Sequence, residues 1–234
     1  MQARVRAAGF GYYVEGLRRS QPRFPLVMCQ ALLERWNDCG HTFVFSFGEL
    51  TVTPADFSAI TGLDFTGEHP PLDTRYRTRD LGRSLARDLL GVDPDTAPNH
   101  LGFLAYKEIK DFWVGEIQHR RREWARAVKA FQASGNHGDP PPACPQYSTG
   151  ERDRAARAFI FYILSSQLLV NSQNKGDPAV LVCLRDLTAV RQYEWASLSL
   201  AHLYHGLDVW VRGSLDSNWI FSRLLEVNTT QTTY

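Results

Sequence analysis

Three groups of side chains have the types and spacing to do chemistry. His41 and Glu49 flank a short aromatic segment, and a histidine facing a carboxylate across a hairpin makes an acid–base couple. Glu49 follows Gly48 and is the first acid to test for catalysis; the plainer reading leaves it exposed, or paired with an arginine of the basic N-terminal stretch. His202 and His205 stand three residues apart, which puts two nitrogen ligands on one helix face. Zinc needs a third and a fourth ligand, and finger spacing does not supply them; Cys29, Cys39 and His41 form a looser set. The favoured reading makes these histidines helix-closing residues and these cysteines small core hydrophobes, with no metal. His119, Arg120, Arg121, Arg122 and Arg126 form the densest basic cluster, with Trp124 beside it for base stacking, as a nucleic-acid face would need. Glu116 and Glu123 lie at helical spacing from these cations, so a solvated, internally paired helix face is the preferred alternative.

Other chemistries lack their parts. A pyridoxal-phosphate enzyme needs a Schiff-base lysine, an acid on the pyridine nitrogen and a phosphate cup. The lysines are Lys107, Lys110, Lys129 and Lys175; three fall on a charged helix and one in a polar loop, none beside a Gly/Ser-rich phosphate loop. No GxSxG elbow, P-loop or GxGxxG occurs. The expectation is no catalytic residue, no cofactor and no metal.

The elements that position these residues are mostly helical. Cys29, Leu32, Leu33 and Trp36 share one helical face, with Pro25 in the first turn and Gly40 as the stop. HTFVFSF then reads as a strand, Gly48-Glu49 as a type II′ turn and LTVT as the return strand. Thr53, Pro54 and Asp56 spell a helix start, and Gly62 its end. A helical piece surrounds Leu81, Leu85 and Leu89. A long helix spans roughly 104–133, with Ile109, Phe112, Trp113, Ile117, Trp124, Val128 and Phe131 on its apolar stripe. Residues 134–148 form a flexible Pro-rich loop. Ser148 and Glu151 cap an apolar helix reaching Val170, and helices over 179–187, 191–211 and 218–227 follow. Trp36, Trp195 and Tyr204 read as core anchors on helices. There is no βαβ alternation, so the fold expected is mainly α: a single helical domain over 1–227 with a small β-hairpin packed on helices, then a polar tail over 228–234.

Composition sets limits on function. The chain has 234 residues, 44% hydrophobic and 22% charged, with a net charge of +1. That is an ordinary globular composition, and it gives no whole-protein field to steer toward nucleic acid or membrane. The longest apolar run, Ala158 to Leu164, is far too short for a bilayer. No secretory signal is visible, so the Asn228-Thr229-Thr230 sequon carries no weight, and the four cysteines read as reduced thiols of an intracellular protein. Arginines dominate residues 1–35, and residues 36–73 hold six acids with no Lys or Arg; the two stretches are expected to compensate each other.

LLERW followed by HTFVFSFGELTVTPADFSAITGL resembles the signature of the plant mobile domain family, also called the aminotransferase-like plant mobile domain. Trp36, His41, Thr42, Phe43, Gly48, Glu49, Thr51, Thr53, Asp56, Gly62 and Leu63 occupy matching positions. A second block, ARAFIFYILSSQLL with LRDLTAVRQYEWASLSLAHLYHGL, is similar through Asp186, Tyr193, Trp195 and Tyr204 among others. Departures are Ala196 in place of a glycine, the segment after Leu215, and the loops around 75–87 and 134–148. The resemblance implies a non-enzymatic nuclear interaction module acting in meristem and genome maintenance and in gene and transposable-element silencing. It also implies a partner of the serine/threonine-phosphatase class. The alternatives are a transposon-derived nucleic-acid binder using Arg120, Arg121, Arg122 and Arg126, and an enzyme with its site near His41 and Glu49.

Overall fold

Two capping boxes show how directly local chemistry sets this architecture. Thr53 Oγ1 accepts from the Asp56 N–H at 3.2 Å while the Thr53 N–H donates to Asp56 Oδ2 at 2.9 Å. Ser148 and Glu151 do the same, at 3.2 and 2.8 Å. Each box satisfies N–H groups that a helix start leaves without partners. They open α4 (Pro54–Thr61) and α7 (Thr149–Ile163), and Gly62 closes α4 in the left-handed region at φ 68°.

The computed structural model describes residues 1–20, 26–93, 102–134, 140–169 and 175–213. Pro25, the Cys29 side chain, the helix end at Val170, the helix over 218–227 and the tail over 228–234 with its sequon lie outside the described residues. The remaining helices are α1 (Gln2–Ala7), α2 (Gly11–Ser20), α3 (Leu26–Leu33), α5 (Arg79–Leu90), α6 (Tyr106–Ala133) and α8 (Trp195–Val211). Short 3-10 turns cover Thr74–Arg77, Pro178–Leu184 and Val190–Gln192, and a π turn extends α7 over Leu164–Leu168. Strands β1 (Trp36–Asn37), β2 (Thr42–Phe45) and β3 (Gly48–Leu50) form an antiparallel sheet in that order. A second pair, β4 (Leu104–Ala105) with β5 (Lys175–Gly176), ties the start of α6 to the entry of the 178–184 turn. The fold is mainly α with a small sheet, as the sequence predicts.

The core lies where α7, the 178–184 turn and α8 meet. Ile160, Phe161, Leu164, Leu181, Leu184 and Leu207 are fully buried there. Each such side chain stabilises by about 1.5–3 kcal/mol through burial.

Several elements differ from the sequence expectation. The first apolar helix stops at Leu33, and Trp36 belongs to β1, paired with Phe43. An inward strand position satisfies the same apolar spacing. The hairpin turn is Ser46-Phe47, since Gly48 already pairs with Phe45. Gly48 is needed for its φ of 143°, where no other part of the chain would obstruct a Cβ. The helix expected over 179–187 is a 3-10 turn with six of its seven residues buried. The helix expected from Arg191 begins at Trp195, because Tyr193 is extended and its neighbours bond Glu68: Glu68 N–H to the Gln192 carbonyl and Glu194 N–H to the Glu68 carbonyl, both 2.8 Å.

Along α6 only Ile109 is buried; Phe112 and Trp124 are exposed. The described part of the Pro-rich loop, 140–148, runs without regular structure and is anchored to α6. The Trp124 indole N–H donates to the Pro142 carbonyl at 3.0 Å, and the Arg120 guanidinium sits 5.0 Å from the Tyr147 ring centre. Trp124 is therefore used by the loop and not by the core.

The compensation expected between residues 1–35 and 36–73 does not occur among the described ion pairs. Arg4 meets Asp153, Asp38 meets Arg212, and Asp73 meets Arg75. Folding supplied Arg4 and Asp38 with partners distant in sequence, while Asp73 took the arginine two residues on. Cys183 is buried, whereas Cys39 and Cys144 are exposed, so the expected core role fails for Cys39.

Two predictions follow from these environments. The Arg120 guanidinium and the Ser148 N–H and hydroxyl hold the Glu151 carboxyl down at about 2. A depressed carboxyl stabilises the fold above its ordinary value near 4.5 and loses that contribution as pH falls toward about 2. Thermal unfolding of Glu151→Gln should show a deficit against the native chain at pH 7 that narrows as the pH drops through that window. Burial pushes the Cys183 thiol up to about 12. Iodoacetamide at pH 8 should alkylate Cys39 and Cys144 and spare Cys183 until denaturant is added, as read by peptide mass spectrometry.

Candidate functional site

The Asp208 carboxylate joins the hairpin to α8. The Trp36 indole N–H donates to Asp208 Oδ1 at 2.8 Å, and His41 Nε2 lies 3.1 Å from Oδ2. The Asp208 side chain is only 13% exposed. One helical turn earlier, Tyr204 stacks on the His41 ring, with centroids 5.6 Å apart and planes at 14°. Its hydroxyl donates to the Val52 carbonyl at 2.6 Å. The Thr51 hydroxyl donates to the His41 carbonyl at 2.7 Å and lies 3.1 Å from the Tyr204 hydroxyl. The Trp36 ring meets Phe43 edge-on at 4.8 Å and Tyr204 at 5.6 Å. His41 has φ 51°, the one positive φ at a non-glycine among the described residues. Such a conformation costs on the order of 1 kcal/mol and persists where its surroundings enforce it.

His41 is therefore engaged by Asp208 and not by Glu49. Exposed Glu49 accepts from the Thr42 hydroxyl at 2.7 Å. The expected couple across the hairpin is not formed, nor does Glu49 pair with an N-terminal arginine among the described residues. The described polar contact of the His41 ring is Asp208, which ties the segment before β2 to α8. Its chemistry is that of a clamp.

Beyond the clamp the hairpin ends in an apolar knob. That knob is Phe47, 76% exposed; behind it Leu50 (53%) and Val44 (43%) are exposed on opposite faces of the sheet. The Phe47 ring stacks on Phe45 at 5.1 Å with planes at 4°, and the Arg35 guanidinium sits 5.7 Å from the Phe45 ring centre. This is a large exposed aromatic group on a braced support.

A cleft of about 730 Å³ opens where residues 6–12, 62–68 and 191–195 meet. Arg6 and Arg191 line it together with Asp64 and Glu68. Trp195 forms part of its wall and is anchored by its indole N–H to the Val190 carbonyl at 2.8 Å. Tyr193 packs edge-on against Trp195 at 5.9 Å.

A family model described as the plant mobile domain matches residues 24–224. The chain belongs to the plant mobile domain family. Relatives from Arabidopsis thaliana carry matching stretches. A protein named serine/threonine-protein phosphatase 7 long form homolog is 31% identical over 179 residues, covering 76% of this chain and 11% of that protein. Protein MAIN-LIKE 2 is 27% identical over 207 residues, covering 87% of this chain and 26% of the relative. Protein MAINTENANCE OF MERISTEMS is 26% identical over 206 residues, covering 86% of this chain and 36% of the relative. The chain thus spans about a third or less of these relatives' lengths. No solved structure matches.

The plant mobile domain signature residues fall in two places. Trp36, His41, Thr42, Phe43, Gly48, Glu49 and Tyr204 build the clamp and its hairpin. Tyr193 and Trp195 line the cleft, and Asp186 stands apart. The Asp186 carboxyl accepts from the Thr188 hydroxyl and N–H at 2.7 and 2.8 Å, bonds that hold it below the usual carboxylate range. The basic face is smaller than the sequence suggests. Arg120 is drawn to Glu151 and Glu116, Arg122 donates to Gln118 at 3.0 Å, and His119 lies 3.5 Å from Glu123. Arg121 and Arg126 remain exposed. Lys107, Lys110 and Lys129 are exposed on α6, and Lys175 is half-buried in β5. His202 and His205 are exposed on α8, and among the described residues no group of three or more His, Cys, Asp or Glu is placed to hold a metal ion. No described helix is long and apolar enough to cross a membrane.

Sequence reasoning missed Asp208, Phe47, Arg6 and Arg191. For Asp208 a signal existed: it lies one helical turn after Tyr204, on the same face. Asp208→Ala would leave the buried Trp36 N–H without its acceptor. Urea denaturation should show a loss of about 1–3 kcal/mol, with Asp208→Asn losing less because an amide oxygen still accepts from Trp36.

Proposed function

We propose that this chain is a non-enzymatic protein-interaction domain of the nucleus. It docks a partner of the serine/threonine-phosphatase class through its β-hairpin and acts in gene and transposon silencing and in genome and meristem maintenance. The observation that carries the reading is the exposed Phe47 knob at the tip of a hairpin clamped to α8. Exposed apolar groups held rigid by a scaffold are what interface anchors require, since little entropy is lost when they are buried. The relatives' names support the setting: one is named for meristem maintenance, and another is a phosphatase-named protein containing a stretch like this chain. The nucleic-acid alternative rests on Arg121, Arg122 and Arg126 and is the weaker reading, because Arg120 is held by carboxylates.

Affinity capture of the tagged chain from nuclease-treated nuclear extract, read by mass spectrometry, tests this. The native chain should recover a phosphatase-class protein at near-stoichiometric level. Phe47→Asp should fold with an unchanged melting temperature and weaken that complex by about 2 kcal/mol or more, roughly thirtyfold. Capture unaffected by Phe47→Asp, or lost on nuclease treatment, would contradict the proposal.

A further inference from the structure

The cleft between residues 6–12, 62–68 and 191–195 holds four charges. Arg6, Arg191, Asp64 and Glu68 all line it, and among the described residues none of them forms an ion pair. Several other described charges are paired: Arg77 with Asp177, Arg83 with Asp93, Arg120 with Glu151, Arg212 with Asp38. Charges of both signs that share one concavity without neutralising each other are available to something that enters it.

Glycines set the cleft's shape and bring the cations together. A Cβ on Gly9 would stand 3.6 Å from Arg191 Cγ, and one on Gly11 would stand 2.7 Å from Arg6 Cγ. The two arginine stems therefore lie against one short turn. Gly67, at φ 131°, presses so closely on the Gln192 carbonyl that a Cβ would lie 2.3 Å from it. That contact, with the Glu68 to Tyr193 bridge, fixes the loop bearing Asp64 and Glu68 against the segment bearing Arg191.

We propose that this cleft binds an extended peptide segment carrying one acidic and one basic side chain. The acid meets Arg6 and Arg191, the base meets Asp64 and Glu68, and the Tyr193–Trp195 wall packs on the chain between them. A free phosphate or a nucleotide is a poorer fit, because Asp64 and Glu68 repel it. A volume of about 730 Å³ also far exceeds one small anion. The site is separate from the hairpin knob.

The test is selection of displayed random octapeptides on the folded chain, with the winners synthesised, labelled and titrated by fluorescence anisotropy. Enriched peptides should carry both an acid and a base. The Arg6→Glu/Arg191→Glu variant, checked for folding by near-ultraviolet circular dichroism, should bind them about tenfold more weakly. It should regain binding when the peptide's acid is changed to Lys. Glu68→Gln, a milder change, should weaken binding and relax the preference for the base. Phe47→Asp should leave all of this unchanged, which separates this site from the hairpin reading. No enrichment, enrichment blind to the charge reversals, or acid-only winners displaced by inorganic phosphate would overturn the proposal.

Discussion

One carboxylate holds this structure's functional geometry. Asp208 accepts from Trp36 on one oxygen and meets His41 on the other. Trp36 lies in, and His41 just before a strand of, a small sheet too short to be stable on its own. By anchoring two aromatic rings to α8, Asp208 turns a marginal hairpin into a fixed projection. Tyr204 and Thr51 complete the clamp by engaging backbone carbonyls of the same segment. The strain at His41 is tolerated because stacking and hydrogen bonding define its position from both sides.

That constraint explains why Phe47 stands exposed without collapsing onto the core. The inward residues of the sheet, Trp36 and Phe43, are already packed. Phe47 lies in the turn beyond them, stacked on Phe45. Such an exposed aromatic surface favours association, and the interaction reading gives it a purpose.

Local signals were legible in the sequence and distant ones were not. Both capping boxes and the Gly62 stop could be read because their chemistry lies within a few residues. The hairpin was legible as a strand pair but not in register, since Gly48 suits a turn as well as a strand position with positive φ. Trp36 could be read as apolar but not as a strand residue, because its partners Phe43 and Asp208 decide that. The clamp joins residues 167 and 172 positions apart, a separation no short-range pattern reports. The cleft draws on three segments and was invisible for the same reason. The charge pattern misled in an instructive way: N-terminal arginines and the following acids look complementary in sequence, yet Arg4 and Asp38 found partners elsewhere.

The central claim is that Asp208 holds the hairpin independently of the core. Native-state hydrogen exchange on Asp208→Ala, compared with the native chain, tests it most directly. The account predicts that amides paired between β2 and β3 lose far more protection than those of Ile160 to Leu164, which fall by no more than the global loss seen in urea. Hairpin protection that is unchanged, or lost only together with the core, would contradict it.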